Sequence, residues 1–528
     1  MRNFQLPGRS AVLATNGMVA TSHPLAASEA LQVLRDGGNA VDAVIAGAVL
    51  LGVCEPQMTG LGGDCFALIR PAGSEEVVAL NGSGRAPAGL DADAVRGDGV
   101  TVIEAGHPAS ITIPGAVDAL CRLSERYGKL GLERLLAPAI RYFDEGVPIA
   151  ARVAFDIGPM GGAMNAAAHK HFLRNGAAYR EGDVLALPAQ AEVLRRIVRE
   201  GRDAFYAGEV ADDMLKALKA IGGTHTAEDF AATEASWGTP LRGGYRKHEL
   251  VEHPPNGQGA TAILLAAILA EFDIASMEPN GAERLHLEAE ATRLAYDARN
   301  RFIADADHVT RLEHMLSPET TKRLAALIDP KTAMAAPAPL TEDVHRDTIL
   351  ITAVDRDGMA VSLIYSIFST FGSGIATDRF GILFQNRGCG FNLTAGHPNE
   401  AGSGKRPMHT IIPAMRATDG KIDMAFGVMG GQYQACGHAH VLSNMADFGM
   451  DPQEAVDAPR AFADPKTGLL QVEDGVSEAT CAALAAKGHQ LSHAQGPIGG
   501  AQVILMDASR GILIGASDPR KDGMAVGY

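Results

Sequence analysis

The stretch Thr348-Ile-Leu-Ile-Thr-Ala-Val354, the turn Asp355-Arg-Asp-Gly358 and the stretch Ala360-Val-Ser-Leu-Ile-Tyr-Ser-Ile367 carry the clearest structural signature in the chain. Both runs are apolar and rich in β-branched residues, and the turn between them contains aspartate and glycine. We predict two antiparallel strands joined by a turn of more than two residues. Because the apolar residues are nearly continuous, both strands should be covered on both faces.

The residues upstream of this hairpin have a different composition. Residues 331–339 are rich in alanine and proline and lack apolar periodicity, which is typical of an exposed linker. Before the linker, apolar residues recur at helical spacing, and Asn39 is a candidate N-cap with Asp42 three residues later. We predict a helix-rich first two-thirds joined by the linker to a strand-rich last third.

Further elements follow from the same periodicity rules. The predicted helices cover residues 130–145, 190–199, 282–304 and 437–447, and the predicted strands cover residues 65–69, 381–384, 424–428 and 502–506.

Composition excludes several classes of protein. The chain has 528 residues, of which 46% are hydrophobic and 20% charged, as in an ordinary globular protein with room for a large core. A net charge of −16 disfavours nucleic acid or an anionic membrane as a partner. It leaves a small anionic substrate open, because a few local arginines can overcome the global charge.

No cofactor is predicted. The six cysteines form no C-x-x-C pair, and the Gly60–Gly63 loop lacks the residues that complete a nucleotide-binding motif. His438 and His440 lie two apart on a predicted helix, so their rings face different sides and no metal is expected. The first residues lack the apolar core of a signal peptide, and residues 40–53 are too short to span a bilayer, so we expect a cytoplasmic protein.

Short motifs along nearly the whole chain resemble the γ-glutamyltranspeptidase family of N-terminal-nucleophile hydrolases. In chain order they are Gly17-Met-Val-Ala-Thr-Ser-His-Pro-Leu-Ala-Ala-Ser-Glu-Ala-Leu31, Gly37-Gly-Asn-Ala-Val-Asp-Ala-Val44, Glu55-Pro, Gly60-Leu-Gly-Gly63, Pro114-Gly, Asp203-Ala-Phe-Tyr-Ala-Gly208, Gly404-Lys-Arg-Pro407, Gly430-Gly431, Ala458-Pro-Arg460 and Asp518-Pro-Arg-Lys-Asp-Gly-Met-Ala-Val-Gly-Tyr528.

The resemblance implies an α+β fold, the four-layer αββα sandwich of these hydrolases. It also implies autoproteolysis between Asp347 and Thr348, dividing the chain into a large segment of residues 1–347, which ends in the linker, and a small segment of residues 348–528. The two segments should remain together as one intertwined αβ pair.

The expected chemistry needs one residue for two tasks. Cleavage gives Thr348 an α-amine beside its own hydroxyl. An α-amine titrates near about 8, so it can accept the hydroxyl proton near neutral pH and make Thr348 both nucleophile and base.

The resemblance assigns further residues to the site. Gly430 and Gly431 match the family's oxyanion-hole pair, where glycine lets backbone N–H groups approach the reacting oxygen. Ser366 matches a second hydroxyl residue beside the nucleophile, and Arg85 matches the arginine that binds the substrate's α-carboxylate.

The sequence departs from the family at the positions that recognise a γ-glutamyl group. Phe368 replaces an asparagine, Arg387 a glutamine, and Gly390 the aspartate that pairs with the substrate's α-ammonium; His409-Thr410 replaces a double serine. Loss of a carboxylate and gain of an arginine disfavour an ammonium and favour a carboxylate. Phe368 should also shorten the pocket.

These changes favour a short amide acid without an α-amino group, and oxamate amidohydrolase is the best fit among relatives. Glutathione hydrolase or γ-glutamyl transfer and a glutaryl-type acylase remain open alternatives. A non-catalytic binding relative is a fourth.

Overall fold

The computed structural model describes Gln5 and residues 8–157, 164–334 and 348–528. Its strands, in chain order, are β1 Val12–Ala14, β2 Met18–Thr21, β3 Asp64–Arg70, β4 Val78–Gly82, β5 Val147–Pro148, β6 Val184–Leu185, β7 Ser236–Gly238, β8 Leu241–Tyr245, β9 His248–Glu252, β10 Ile349–Val354, β11 Ala360–Ser366, β12 Ala414–Thr418, β13 Lys421–Met429, β14 Ala461–Ala463, β15 Leu470–Val472, β16 Leu491–His493, β17 Gly500–Asp507, β18 Ile512–Ser517 and β19 Met524–Gly527.

The helices, in the same order, are α1 Pro24–Arg35, α2 Ala40–Cys54, α3 Ala92–Gly97, α4 Ala116–Tyr127, α5 Gly131–Glu145, α6 Ala151–Ile157, α7 Ala166–Phe172, α8 Pro188–Glu200, α9 Asp203–Tyr206, α10 Gly208–Ala220, α11 Ala227–Ala231, α12 Gly259–Ala270, α13 Ala282–Phe302, α14 Leu312–Met315, α15 Pro318–Ala325, α16 Gln434–Ala446, α17 Pro452–Asp457 and α18 Glu478–Ala486.

Two seven-stranded antiparallel sheets form the centre of the molecule. The first has the order β1-β18-β17-β13-β12-β9-β8 and the second β19-β2-β10-β11-β3-β4-β7. The sheets pack face to face, with β10 against β13 and β17. Helices α1 and α2 cover the outer face of the second sheet, and α12 and α16 cover that of the first. The predicted αββα sandwich is confirmed.

The predicted hairpin lies in the middle of the second sheet. Ile349 pairs with Tyr365, Val354 pairs with Ala360, and every residue of β10 and β11 is buried. In the turn, the Asp355 carboxylate accepts hydrogen bonds from the backbone N–H groups of Asp357 and Met359. Its other oxygen accepts from the N–H of Ala40, the first residue of α2, so the turn is tied to the covering helix.

Apart from Asp42, helix α2 has no charged residue on any side, and all fifteen of its residues are buried. The Asn39 side chain accepts a hydrogen bond from the Asp42 N–H at 3.0 Å, and the Asp42 carboxylate accepts one from the Asn39 N–H at 3.0 Å. The predicted capping box is therefore confirmed. Among the described residues, no helix combines the length and apolar composition needed to cross a lipid bilayer.

Nine of the nineteen strands in the described part of the chain precede Thr348, so both segments contribute strands to the fold. One expectation about the fold is wrong. Residues 381–384 form no strand, because this segment folds back on its own neighbours: Ile382 and Thr377 exchange hydrogen bonds, and Leu383 makes a single bridge with Ala376.

Candidate active site

Thr348 lies directly before β10, beside the end of β11. The antiparallel register places it opposite Ser366, and the two hydroxyl oxygens are 3.3 Å apart. Both side chains are buried, with Thr348 only 1% exposed. The Ser366 hydroxyl also accepts a hydrogen bond from the Phe368 N–H at 2.9 Å. Asp347 is outside the described residues, so cleavage at this bond remains a prediction.

The glycine pair follows β13, the strand that crosses β10 from the opposite sheet. A Cβ atom on Gly427 would lie 3.0 Å from the Leu350 side chain, so the strands are in close contact near Thr348. Gly430 and Gly431 have φ values of 125° and 54°, which favour glycine. The Gly430 carbonyl accepts from the Tyr433 N–H at 3.0 Å, which fixes the peptide plane that carries the Gly431 N–H.

A buried carboxylate that the sequence analysis missed lies beside Ser366. Asp64 pairs with Ser366 across β3 and β11, and its Oδ1 accepts from the Gly84 N–H at 3.1 Å. A Cβ atom on Gly63 would lie 2.5 Å from the Ser366 carbonyl, so this close approach requires glycine. The Gly60–Gly63 motif is therefore the sequence signal that places Asp64 at the site.

The structure brings together two of the predicted substrate-binding residues, Arg387 and Thr410. Arg387 is fully buried and its Nη1 donates to the Thr410 Oγ1 at 3.0 Å. The guanidinium stacks on the Phe368 ring at 4.1 Å from the ring centroid, while its Nε lies 3.7 Å from the Asp64 Oδ2. Phe368 has a φ of 77°, an unusual value for a bulky residue, and is 2% exposed.

The Arg387 guanidinium has hydrogen-bond donors that no described residue accepts. Its Nε and Nη2 are buried without a hydrogen-bond partner among the described residues. Burial lowers the pKa of Arg387, and the Asp64 carboxylate opposes this shift. A buried cation with unused donors is suited to receive a carboxylate.

His409 supports Asp64 from the other side. Its Nδ1 accepts from the Ile411 N–H at 3.3 Å, so its Nε2 carries the proton and donates to the Asp64 Oδ2 at 3.0 Å. Burial holds the pKa of His409 well below its usual range, and the ring lies tilted against that of Phe66. A neutral ring with both nitrogens occupied has none left for a substrate, so the substrate contact predicted for His409 finds no support in this geometry.

Arg85 is placed differently from the other predicted residues. Its side chain is 46% exposed, with its Nη1 3.2 Å from the buried Asp305 carboxylate and 2.9 Å from the Gly404 carbonyl. It follows Gly84, which bonds Asp64, but its own described contacts do not reach Arg387 or Thr410. Its role in carboxylate binding remains a prediction.

A buried group of potential metal-ligand atoms lies away from Thr348, where α13 meets the segment after α18. It comprises His286 and Glu290 of α13 together with His489. The His286 Nδ1 and the His489 Nε2 are 2.8 Å apart, as in a hydrogen bond, and Glu290 accepts from the Arg293 side chain and from the Met334 N–H. Because their ligand atoms already bond within the protein, these three residues form a structural cluster.

Comparison with known proteins identifies the family to which the chain belongs. A model described as Gamma-glutamyltranspeptidase matches residues 26–528. The chain is 33% identical over 528 residues to the Glutathione hydrolase-like YwrD proenzyme of Bacillus subtilis (strain 168), covering 98% of this chain and 99% of that protein. It is 32% identical over 541 residues to the Oxamate amidohydrolase proenzyme of Klebsiella pneumoniae, covering 98% and 100%.

The crystal structure of cephalosporin acylase from Bacillus halodurans superposes with a TM-score of 0.92 at 34% identity. The superposition covers 100% of this chain and 99% of that one. The relatives are hydrolytic enzymes, and those from Bacillus subtilis and Klebsiella pneumoniae are named as proenzymes. The chain is therefore a hydrolytic enzyme that belongs to the gamma-glutamyltranspeptidase family.

Proposed function

We propose that this chain is a self-cleaving amidohydrolase whose new N-terminal residue, Thr348, hydrolyses oxamate to oxalate and ammonia. The observation that carries the proposal is the buried Arg387 guanidinium, which has two unused donor groups and lies 3.7 Å from the carboxylate of Asp64, the residue that pairs with Ser366. A substrate carboxylate would satisfy those donors.

The proposed maturation uses only groups of this chain and water. The Thr348 hydroxyl attacks the carbonyl carbon of Asp347, the peptide C–N bond breaks, and an ester forms while the nitrogen of Thr348 takes up the proton. Water then hydrolyses the ester, leaving a carboxylate at Asp347 and a free amine at Thr348. The Ser366 hydroxyl, 3.3 Å from the Thr348 hydroxyl, is positioned to orient it.

Hydrolysis of the substrate repeats this chemistry. The α-amine takes the hydroxyl proton as the Thr348 oxygen attacks the amide carbon. The N–H groups of Gly430 and Gly431 stabilise the oxyanion, and the leaving ammonia receives the proton held by the amine. Water then hydrolyses the acyl ester and releases oxalate.

The pocket chemistry favours oxamate over a γ-glutamyl amide. A γ-glutamyl substrate carries an α-ammonium, which the buried Arg387 would repel and which no carboxylate at position 390 can pair with. Phe368 is buried against Arg387, so it occupies space that a longer acyl chain would need.

Glutathione hydrolase and acylase activities are the alternatives, because relatives with those names also match the chain. A panel of oxamate, γ-glutamyl-p-nitroanilide and a glutaryl amide separates the three. Oxamate turnover at least about tenfold above the others, measured as kcat/KM, supports the proposal. γ-Glutamyl release without oxamate turnover would overturn it.

Two further features belong to the same proposal. The two cleavage products remain associated as an αβ heterodimer that acts on a small molecule. The protein works in the cytoplasm, which fits the six cysteines carrying thiols rather than disulfides. Cell fractionation with antibodies against this chain tests the compartment, and recovery outside the cytoplasm would contradict it.

A further inference from the structure

A buried glutamine joins two parts of the proposed site. Gln258, directly before α12, is fully buried. Its Nε2 donates to the Thr410 carbonyl at 2.8 Å and to the Gly431 carbonyl at 3.2 Å. Both hydrogens of one amide nitrogen are thus used to connect the residue that bonds Arg387 with a residue of the glycine pair.

Arg299 fixes the orientation of this amide. Its Nη1 donates to the Gln258 Oε1 at 2.8 Å and also bonds the Gln432 Oε1. A guanidinium has only donors, so the amide oxygen must face Arg299 and the amide nitrogen must face the two carbonyls. Arg299 is itself held by the Tyr296 ring, 4.4 Å from the ring centroid, and by the Asn300 side chain.

The glycine pair needs such a restraint. Gly430 and Gly431 have no side chains that could pack, and glycine backbones move easily between conformations. The Tyr433 N–H holds the Gly430 carbonyl and Gln258 holds the Gly431 carbonyl. The backbone N–H of Gln258 donates to the His409 carbonyl at 3.0 Å. Gln258 therefore also holds the segment that carries Thr410.

We propose that Gln258, oriented by Arg299, is a positioning residue that sets the distance between the carboxylate subsite and the oxyanion donors. The subsite is Arg387 with Thr410, and the donors are Gly430 and Gly431. A fixed short distance selects amides whose carboxylate is directly attached to the amide carbon. This inference rests on the proposed function and adds the element that measures substrate length.

The decisive variant is Gln258→Glu. It keeps the size of the side chain and an oxygen for Arg299, but it has no hydrogens for the Thr410 and Gly431 carbonyls. We expect kcat for oxamate to fall about 100-fold with KM changed less than about threefold. The kcat/KM ratio of oxamate to succinamate, which has two more carbons, should fall at least about tenfold.

Gln190→Glu is the matched control. Gln190 is also buried near the start of a helix, and its Nε2 donates to one backbone carbonyl, that of Gly381, at 2.8 Å. It contacts none of the site residues, so this variant should keep the wild-type kcat and substrate ratio. A loss in both variants alike would mean that Gln258 acts only through folding, which would overturn the inference.

The outcomes separate this inference from the proposed function. If the wild-type protein does not hydrolyse oxamate, the proposed function fails before any variant is made. If it does, and Gln258→Glu keeps the wild-type kcat and ratio, the inference alone fails. Should Gln258→Glu remain uncleaved, Arg299→Met decides: a reduced kcat in cleaved protein supports the inference, and a wild-type kcat overturns it.

Discussion

In the proposed function, substrate choice depends on Arg387. Burying an arginine is costly unless charges and acceptors compensate it. Here Asp64 lies 3.7 Å away, Thr410 accepts one hydrogen bond, and two nitrogens have no acceptor in the described residues. The missing acceptors correspond to the carboxylate of the proposed substrate.

Replacing Arg387 should therefore weaken substrate binding more than catalysis. Arg387→Met removes the charge and its donors, and we expect KM for oxamate to rise about 30-fold while kcat changes less than about threefold. Steady-state kinetics measures both. Arg284→Met is a control, because Arg284 is equally buried but pairs with Glu288 elsewhere. An unchanged KM in Arg387→Met would contradict the role.

We expect Asp64 to make substrate binding depend on pH. Burial raises the pKa of Asp64 to about 6, with Arg387 opposing the shift. Above that pH the carboxylate competes with the substrate for Arg387, and below it the carboxyl group is neutral. Between about pH 7.5 and about pH 5, KM for oxamate should fall about fivefold as the pH falls. Burial holds the pKa of His409 well below its usual range, which favours the neutral ring over this interval.

The control for this pH effect is Asp64→Asn, whose side chain does not titrate. Its KM should vary little over the same pH range, measured by initial rates at each pH. Over this range kcat should decrease toward low pH in both proteins, because the Thr348 amine becomes protonated. A wild-type KM that rises as the pH falls would argue against competition by Asp64.

At the scale of elements, the turn after β13 leaves no room for a side chain at Gly430. Gly430 has a φ of 125°, and a Cβ atom there would lie 2.8 Å from the Gly499 Cα. Gly430→Ala should displace the oxyanion donors, lower kcat about 100-fold and slow self-cleavage. Initial rates and a denaturing gel measure these effects.

Gly449→Ala is the matched control for this turn. Gly449 also has a positive φ, 63°, but nothing lies within 4 Å of an added Cβ atom. This variant carries backbone strain of about 1 kcal/mol without disturbing the donors, so kcat should stay at the wild-type value. Equal kcat values in Gly430→Ala and Gly449→Ala would exclude the oxyanion role.

Elements with strong local patterns were predictable from the sequence. The hairpin of β10 and β11 and the capping box of α2 follow from short-range rules, and both are confirmed. The strand predicted at residues 381–384 is absent because these apolar residues pack in a folded-back loop. Apolar periodicity does not distinguish such a loop from a strand. Asp64 was missed because its side-chain partners, Arg387 and His409, lie more than 300 positions away in the sequence.

The whole molecule is built from interleaved strands of both segments. In the second sheet, β10 and β11 lie between β2 and β3, and in the first sheet, β12, β13, β17 and β18 lie between β9 and β1. A helix-rich and a strand-rich segment could have formed separate lobes. Composition alone did not show that both sheets draw strands from both sides of Thr348.

Cleavage should consequently leave the two pieces together. We expect mature protein to elute as one species in size-exclusion chromatography while a denaturing gel separates fragments of about two-thirds and one-third of the chain. Uncleaved Thr348→Ala protein should elute at the same volume. Fragments that separate without denaturant would contradict the interleaved arrangement.

The central claim is that cleavage activates the Thr348 hydroxyl by freeing the α-amine of the same residue. Intact-mass and N-terminal analysis of active protein tests this most directly, combined with activity measured against the cleaved fraction. We predict a fragment that begins at Thr348, activity proportional to its amount, and a single inactive chain for Thr348→Ala. Full activity from protein whose bond between residues 347 and 348 is intact would contradict the account.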